Sequence, residues 1–172
     1  MLYEYKNKHP KVHDSCFIAP SADLIGDVEI DSGSSIWFNV TIRADQNYVH
    51  LGKNVSIQDN SVIHVDGKNP VIISDDVVIG HGAIIHGSSI KSNCIIGMGA
   101  ILLSGSSIGK NCIVGAGSVV TEGTNIPDNS IVLGTPGKVV KQTTNIHLKR
   151  IKKNVEIYMG HNDDYKKFFV KH

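Results

Sequence analysis

Aliphatic residues recur at every sixth position through most of this 172-residue chain. The longest uninterrupted run consists of Ile90, Ile96, Leu102, Ile108, Val114, Val120, Ile126 and Val132. Shorter runs with the same spacing precede it: Leu24, Ile30, Ile36 and Ile42, then Leu51, Ile57 and Ile63, then Ile73, Ile79 and Ile85. A period of six fits neither an amphipathic helix nor a meander of hairpins, so one repeating unit must account for most of the fold.

This period resembles the hexapeptide repeat, whose chain winds as a left-handed parallel β-helix with three hexapeptides in each triangular turn. In that arrangement the aliphatic residue fills the interior, and the small residue two positions earlier fits beside it. Glycine or a short polar residue turns each corner, because such residues tolerate the backbone angles of a tight turn. The resemblance therefore implies an all-β fold, and we assign residues 1–140 to a left-handed parallel β-helix of hexapeptide repeats.

The six-residue pattern ends after the segment "LGTPGKVVKQTT", and a different spacing follows. Helical spacing connects four apolar or aromatic residues: Ile151, Val155, Tyr158 and Tyr165. We therefore predict that residues 141–172 form a C-terminal α-helix packed on the outside of the β-helix, with Thr143 or Thr144 as its N-terminal cap. Gly160 and Asn162 are expected to weaken the middle of this helix.

Charge and cysteine content limit the classes of function. The 17 basic and 16 acidic residues give a formal net charge of +1, which indicates neither a nucleic-acid groove nor a membrane-surface patch. No apolar run approaches the roughly 18 residues of a spanning helix, and the N-terminal segment lacks the apolar core of a signal peptide, so we expect a cytoplasmic protein. Cys16, Cys94 and Cys112 have no C-x-x-C spacing, and we interpret Cys94 and Cys112 as small core residues one coil apart.

Counting hexads brings three polar residues onto successive coils of one face. Arg43, His64 and His86 each follow an interior isoleucine, and they are expected to stack in one outward-facing column. His81 lies five residues before His86, up to roughly 16 Å away along an extended segment, whereas zinc–imidazole bonds are about 2.0–2.1 Å long. His81 would therefore join a metal held by His64 and His86 only from a neighbouring subunit of a threefold assembly. Spacing alone leaves open that two outward histidines stack by chance.

The chain resembles the gamma-class carbonic anhydrases over nearly its whole length, and the resemblance rests on four segments: "IWFNVTIRADQNYVHLG", "SIQDNSVIH", "IGHGAIIHG" and "IGMGAILL". The resemblance implies a homotrimer whose Zn²⁺ ligands are His64, His81 and His86, two from one subunit and one from its neighbour. Other active-site residues of that family fall on Arg43, Asp45, Gln58, Asp59 and Tyr158.

The activity that this resemblance implies is the reversible hydration of CO2 to bicarbonate. Three neutral histidines leave a fourth position on zinc open for water, and the metal lowers the pKa of that water towards about 7. Fe²⁺ or Co²⁺ would also suit this ligand set. The segment between His64 and His81 has no room for the acidic loop that carries a proton-shuttling glutamate in the archaeal prototype. We therefore expect weak or undetectable activity unless a buffer removes the proton.

Two other functions stay open at this stage. The segment "LGTPGKVVK" resembles the G-x-P-x-K segment of hexapeptide acyltransferases that use acetyl-CoA, although carbonic anhydrase-like members carry it as well. Three histidines at ligand positions argue against the lone catalytic histidine of such a transferase. The remaining alternative is a non-catalytic assembly protein in which the metal stabilises the trimer. Neither nucleic acid nor a membrane is expected as a partner.

Overall fold

The computed structural model describes residues 1–168, which form twenty strands and one helix. The strands are β1 (Leu2–Tyr3), β2 (Lys11–Val12), β3 (Phe17–Ile18), β4 (Asp23–Ile30), β5 (Ser35–Ile36), β6 (Thr41–Leu51), β7 (Ser56–Ile57), β8 (Val62–His64), β9 (Val71–Ile73), β10 (Val77–Ile79), β11 (Ile84–His86), β12 (Ser89–Ile90), β13 (Cys94–Ile96), β14 (Ile101–Leu102), β15 (Ser107–Ile108), β16 (Ile113–Val114), β17 (Val119–Val120), β18 (Asn125–Ile126), β19 (Ser130–Leu133) and β20 (Lys138–Gln142). The helix α1 spans Asn145–Phe168. The predicted C-terminal segment 141–172 extends beyond the described residues at 169–172.

The strands stack in parallel on three faces of a β-helix. The first face contains β3, β5, β7, β10, β13, β16 and β19, and β20 adds to its end as an antiparallel strand. The second face stacks β8, β11, β14 and β17 on the first half of β6, and the third stacks β9, β12, β15 and β18 on its second half. The long strands β4 and β6 pass round the corner between these two faces. The predicted parallel β-helix with a C-terminal helix is confirmed.

The hexad positions form the core of the β-helix. Every aliphatic residue that the six-residue period selects is buried, and the most exposed of them, Ile126, exposes only 3% of its surface. The small residues two positions earlier are buried as well, except Thr124, which is half-buried. Thr124 precedes β18, the last strand of the third face, so no further coil covers it. The period therefore identifies the interior, because the side chains at these positions point away from water on every coil.

Cys94 and Cys112 stack inside the β-helix, as the hexad count predicts. Both residues are fully buried, the third cysteine, Cys16, is 9% exposed, and none of the three forms a disulfide. The Cys94 thiol donates to the Gly109 carbonyl oxygen at 3.1 Å, and the amide of Cys112 lies 3.4 Å from the Cys94 sulfur. These contacts fit small core residues.

The helix α1 begins at a threonine cap. The carbonyl oxygen of Thr144 accepts the amide of Leu148 at 3.0 Å, and the hydroxyl of Thr144 lies 2.8 Å from Nδ1 of His147. The helix runs unbroken through Gly160 and Asn162, the two residues expected to weaken its middle. The reason is that Asn162 is buried against the β-helix, where its side-chain amide donates to the carbonyl oxygens of two turns.

Aromatic contacts hold α1 on the first face of the β-helix. The ring centroid of Trp37 lies 4.9 Å from that of Tyr165 and 5.8 Å from that of Tyr158. The Trp37 indole also donates to the hydroxyls of Ser35 and Ser56, both at 3.0 Å. This packing fixes the helix next to the turn after β7, which contains Asp59. Within residues 1–168, no helix has the length and apolar character needed to cross a lipid bilayer.

Candidate metal centre

His64 and His86 lie side by side on the second face. Strands β8 and β11 pair in parallel register with His64 opposite His86. The two imidazole centroids are 5.0 Å apart, and the ring planes meet at 64°. Both side chains point outward but are half-buried, and His64 exposes 15% of its side chain. The column that the hexad count predicted is therefore present for these two histidines.

An arginine and a carboxylate support His64 from the preceding coil. Arg43 pairs with His64 across strands β6 and β8. The carboxylate of Asp45 accepts from the Arg43 guanidinium through Oδ2, and its Oδ1 lies 3.1 Å from Nε2 of His64. Burial acts to raise the pKa of Asp45, but the hydrogen bonds from His64 and Arg43 and the Arg43 charge outweigh it and lower that pKa. Asp45 is therefore an anion that orients the His64 ring.

His86 has a different partner, which the sequence did not indicate. Nδ1 of His86 lies 2.8 Å from the hydroxyl of Ser104 on the next coil. Oδ2 of Asp66 and the Ser104 hydroxyl lie on the same side of Gly87, 3.0 and 3.2 Å from where a Cβ would stand. The interaction with Ser104 is the largest of several that lower the pKa of Asp66 well below its ordinary value. The hexad count offered a signal, since Ser104 lies 18 residues after His86, about one coil further along.

His81 occupies a different corner of the same chain. It follows β10, and its Nδ1 lies 2.9 Å from Oδ2 of Asp59. The amide of His81 donates to Oε1 of Gln58 at 3.2 Å, which orients this nearly buried glutamine. Over residues 1–168, no three histidine, cysteine, aspartate or glutamate side chains are arranged to hold a metal ion. A single subunit thus brings together His64 and His86 but not His81.

Tyr158 of α1 faces the His81 corner. Burial, and secondarily the negative charge of Asp59, raises the pKa of Tyr158. Tyr158 lines a groove of about 520 Å³ that also contains Gln58, His81 and Arg150. The sequence predicted Tyr158, Gln58 and Asp59 as members of the site, and the structure collects all three round His81.

The hydrogen bonds of the histidines decide which ring nitrogens are free. An ionised carboxylate only accepts hydrogen bonds, so Nε2 of His64 carries hydrogen in its contact with Asp45. The opposite nitrogen of the neutral His64 ring keeps a lone pair, the form that zinc binds. A ligand histidine whose second nitrogen donates to a carboxylate is a recurrent feature of zinc sites. The donor chemistry of the residues present therefore fits a metal ion.

A parallel β-helix of hexads defines the class of hexapeptide-repeat proteins. The family model described as "Bacterial transferase hexapeptide (six repeats)" matches residues 87–122. A Bacillus cereus protein described provisionally as an acetyltransferase has a solved structure that superposes with a TM-score of 0.96. It is 39% identical, and the match covers 98% of each chain.

Two curated relatives identify the family within the class of hexapeptide-repeat proteins. A carbonic anhydrase of Geobacillus kaustophilus is 44% identical over 166 residues, which cover 96% of this chain and 91% of the relative. A mitochondrial gamma carbonic anhydrase of Arabidopsis thaliana is 38% identical over 160 residues, which cover 90% of this chain and 58% of that protein. The chain belongs to the gamma carbonic anhydrase family.

Proposed function

We propose that this protein is a zinc-dependent carbonic anhydrase that hydrates CO2 reversibly to bicarbonate. The observation that carries the proposal is the pair formed by His64 and His86, whose rings lie 5.0 Å apart on adjacent coils. His64, His86 and His81 would be the metal ligands. A bound zinc ion supplies the Lewis acidity that makes water a nucleophile near neutral pH, and Fe²⁺ or Co²⁺ would serve the same ligands.

The metal ligands come from two subunits of a homotrimer in this proposal. Val62 and Ile84, one residue before the interior position on β8 and β11, expose 39% and 40% of their surfaces beside the histidine pair. Met98, on the coil after His81, exposes 59%. Large apolar side chains that flank both half-sites favour burial against another subunit. The His81 corner of one subunit would then meet the His64 and His86 face of its neighbour.

Other residues of the site would position the reactants. The Oε1 atom of Gln58 accepts from the His81 amide, so its side-chain nitrogen stays available to donate to an oxygen of CO2 or bicarbonate. Tyr158 lines the same groove, and its hydroxyl offers a second donor. Asp59 orients His81, while Asp45, held by Arg43, orients His64.

Proton removal is the step for which this chain is least equipped. The segment between His64 and His81 contains three carboxylates, and each has a structural partner. Asp66 accepts amides of its own turn, Asp75 accepts the amide of Lys53 at 2.9 Å, and Asp76 accepts the side chain of Asn54 at 3.0 Å. A shuttle must come within hydrogen-bond reach of the proton that it moves. We therefore expect proton release to depend on the buffer.

Metal analysis and CO2 hydration together test this function. Protein purified without a histidine tag is expected to contain one zinc per chain, and a His64→Ala, His86→Ala double variant none. Stopped-flow hydration of CO2 is expected to rise with the concentration of an imidazole buffer. Correctly folded protein that contains no metal would contradict the proposal. Fast turnover that persists after zinc removal and in the double variant would contradict it as well.

A further inference from the structure

Ser104 lies between a histidine and a carboxylate that do not touch each other. Its hydroxyl is 2.8 Å from Nδ1 of His86, and it also faces the carboxylate of Asp66, whose pKa it lowers. Gly87 makes this approach possible, because a Cβ at that position would come within 3.0 Å of Oδ2 of Asp66 and 3.2 Å of the Ser104 hydroxyl. The three groups therefore form a short chain of hydrogen bonds against the bare backbone of residue 87.

The directions of these hydrogen bonds follow from counting hydrogens. An ionised aspartate accepts and never donates, and a serine hydroxyl has one hydrogen to give. We assign that hydrogen to the neighbouring Asp66 carboxylate, so that Ser104 accepts from Nδ1–H of His86. The neutral His86 ring then keeps its lone pair on Nε2.

The Asp66 carboxylate is itself fixed. Its Oδ1 accepts the amides of Lys68 and Asn69 at 2.8 and 2.9 Å, and the side chain of Asn69 bonds both of its oxygens at 3.0 Å. These bonds close the turn made by the insertion "DGKNP" and aim the second oxygen at Ser104. The carboxylate therefore reaches His86 through a hydroxyl, whereas Asp45 contacts His64 directly.

We propose that Asp66 and Ser104 are positioning residues that hold His86 in the tautomer with Nε2 free to bind the metal. This inference rests on the proposed function for its purpose, since it assigns an orienting device to one of the proposed ligands. Groups that orient a ligand histidine typically change metal affinity by about 10- to 100-fold when they are removed. Neither residue touches the substrate in this scheme.

Two variants interrupt the relay, which is the series of contacts from Asp66 through Ser104 to His86, in different ways. Ser104→Ala removes the hydroxyl and leaves Nδ1 of His86 without its partner. Asp66→Asn lets the side-chain amide donate to Ser104, which turns the Ser104 hydrogen towards Nδ1 and favours the opposite tautomer. Ser104→Thr keeps a hydroxyl and serves as the conservative rescue. Lys68→Ala is the matched control, because Lys68 contributes to this turn only through its backbone amide.

The experiment measures zinc affinity by competition with a chelating dye, and the His86 tautomer by ¹⁵N NMR of the metal-free protein. Wild-type protein is expected to show Nδ1–H at His86. Ser104→Ala and Asp66→Asn are expected to bind zinc about 10- to 100-fold more weakly, with Ser104→Thr and Lys68→Ala close to wild type. Circular dichroism identifies any variant that fails to fold, and if Asp66→Asn does so, Ser104→Ala decides.

The relay is wrong if wild-type His86 carries its hydrogen on Nε2, or if folded Ser104→Ala binds zinc within twofold of wild type. A wild-type protein that takes up no zinc would refute the proposed function instead. The tautomer measurement still decides on the relay in that case, because it needs no metal.

Discussion

Mixing complementary variants tests whether two subunits build each metal site. One variant, His81→Ala, keeps the paired histidines, and the other, His64→Ala with His86→Ala, keeps only His81. Either variant alone is expected to bind no zinc. After co-refolding in equal amounts, an interface is complete only where an intact His81 meets an intact histidine pair. Random assembly of a cyclic trimer gives this combination at about one interface in four, so zinc should return to about a quarter of the wild-type content.

A dilution experiment provides the control. Wild-type protein is co-refolded with an equal amount of a variant that lacks all three histidines. Sites shared between subunits would fall to about one quarter of full occupancy, whereas sites within one chain would fall only to about one half. Zinc is counted by mass spectrometry of intact trimers, which also shows that mixed species have formed. Mixed trimers without zinc in the first experiment, or half occupancy in the second, would refute a site built from two subunits.

The remaining predictions concern the coils, the thiols and the reaction. Gly97→Ala is expected to cost about 3 kcal/mol of unfolding free energy, because its Cβ would lie 2.4 Å from the amide nitrogen of Ala116 on the next coil. Gly117→Ala should cost about 1–2 kcal/mol, because a Cβ there meets open space but the backbone has a φ of +66°. Guanidinium denaturation at one protein concentration checks both, and equal costs would contradict this reasoning. Native protein should react only slowly with a thiol reagent, since all three cysteines are buried and burial raises the pKa of Cys16; fast labelling before unfolding would show that the core opens. Gln58→Ala should lower CO2 hydration and leave zinc bound, which a loss of zinc would contradict. Acetyl-CoA should not acetylate small amines or alcohols, and chelator-insensitive transfer at ordinary enzyme rates would favour the acyltransferase alternative.

The six-residue period was enough to predict the fold and the order of its coils. Interior side chains must repeat once per hexad, so only one alignment of successive coils buries all of them. That alignment predicts that Arg43, His64 and His86 lie in one column, and the strand register agrees. It also placed His81 at a different corner from the other two histidines, and the folded chain shows the same separation. The small core cysteines followed from the same count.

The hydrogen-bond partners of the site depended on the tertiary structure. Hexad counting fixes the height of a residue on the β-helix, but it does not fix where an insertion carries its side chains. The insertion "DQNY" lies within strand β6 and begins with Asp45, whose carboxylate reaches His64. The insertion "DGKNP" forms a turn and begins with Asp66, whose carboxylate faces Ser104. The helix is a second example, because the aromatic packing on Trp37, rather than helical periodicity, sets the position of Tyr158 beside Asp59. A repeat determines which side chains face inward because burial is periodic; contacts between outward side chains depend on turns and packing that have no period.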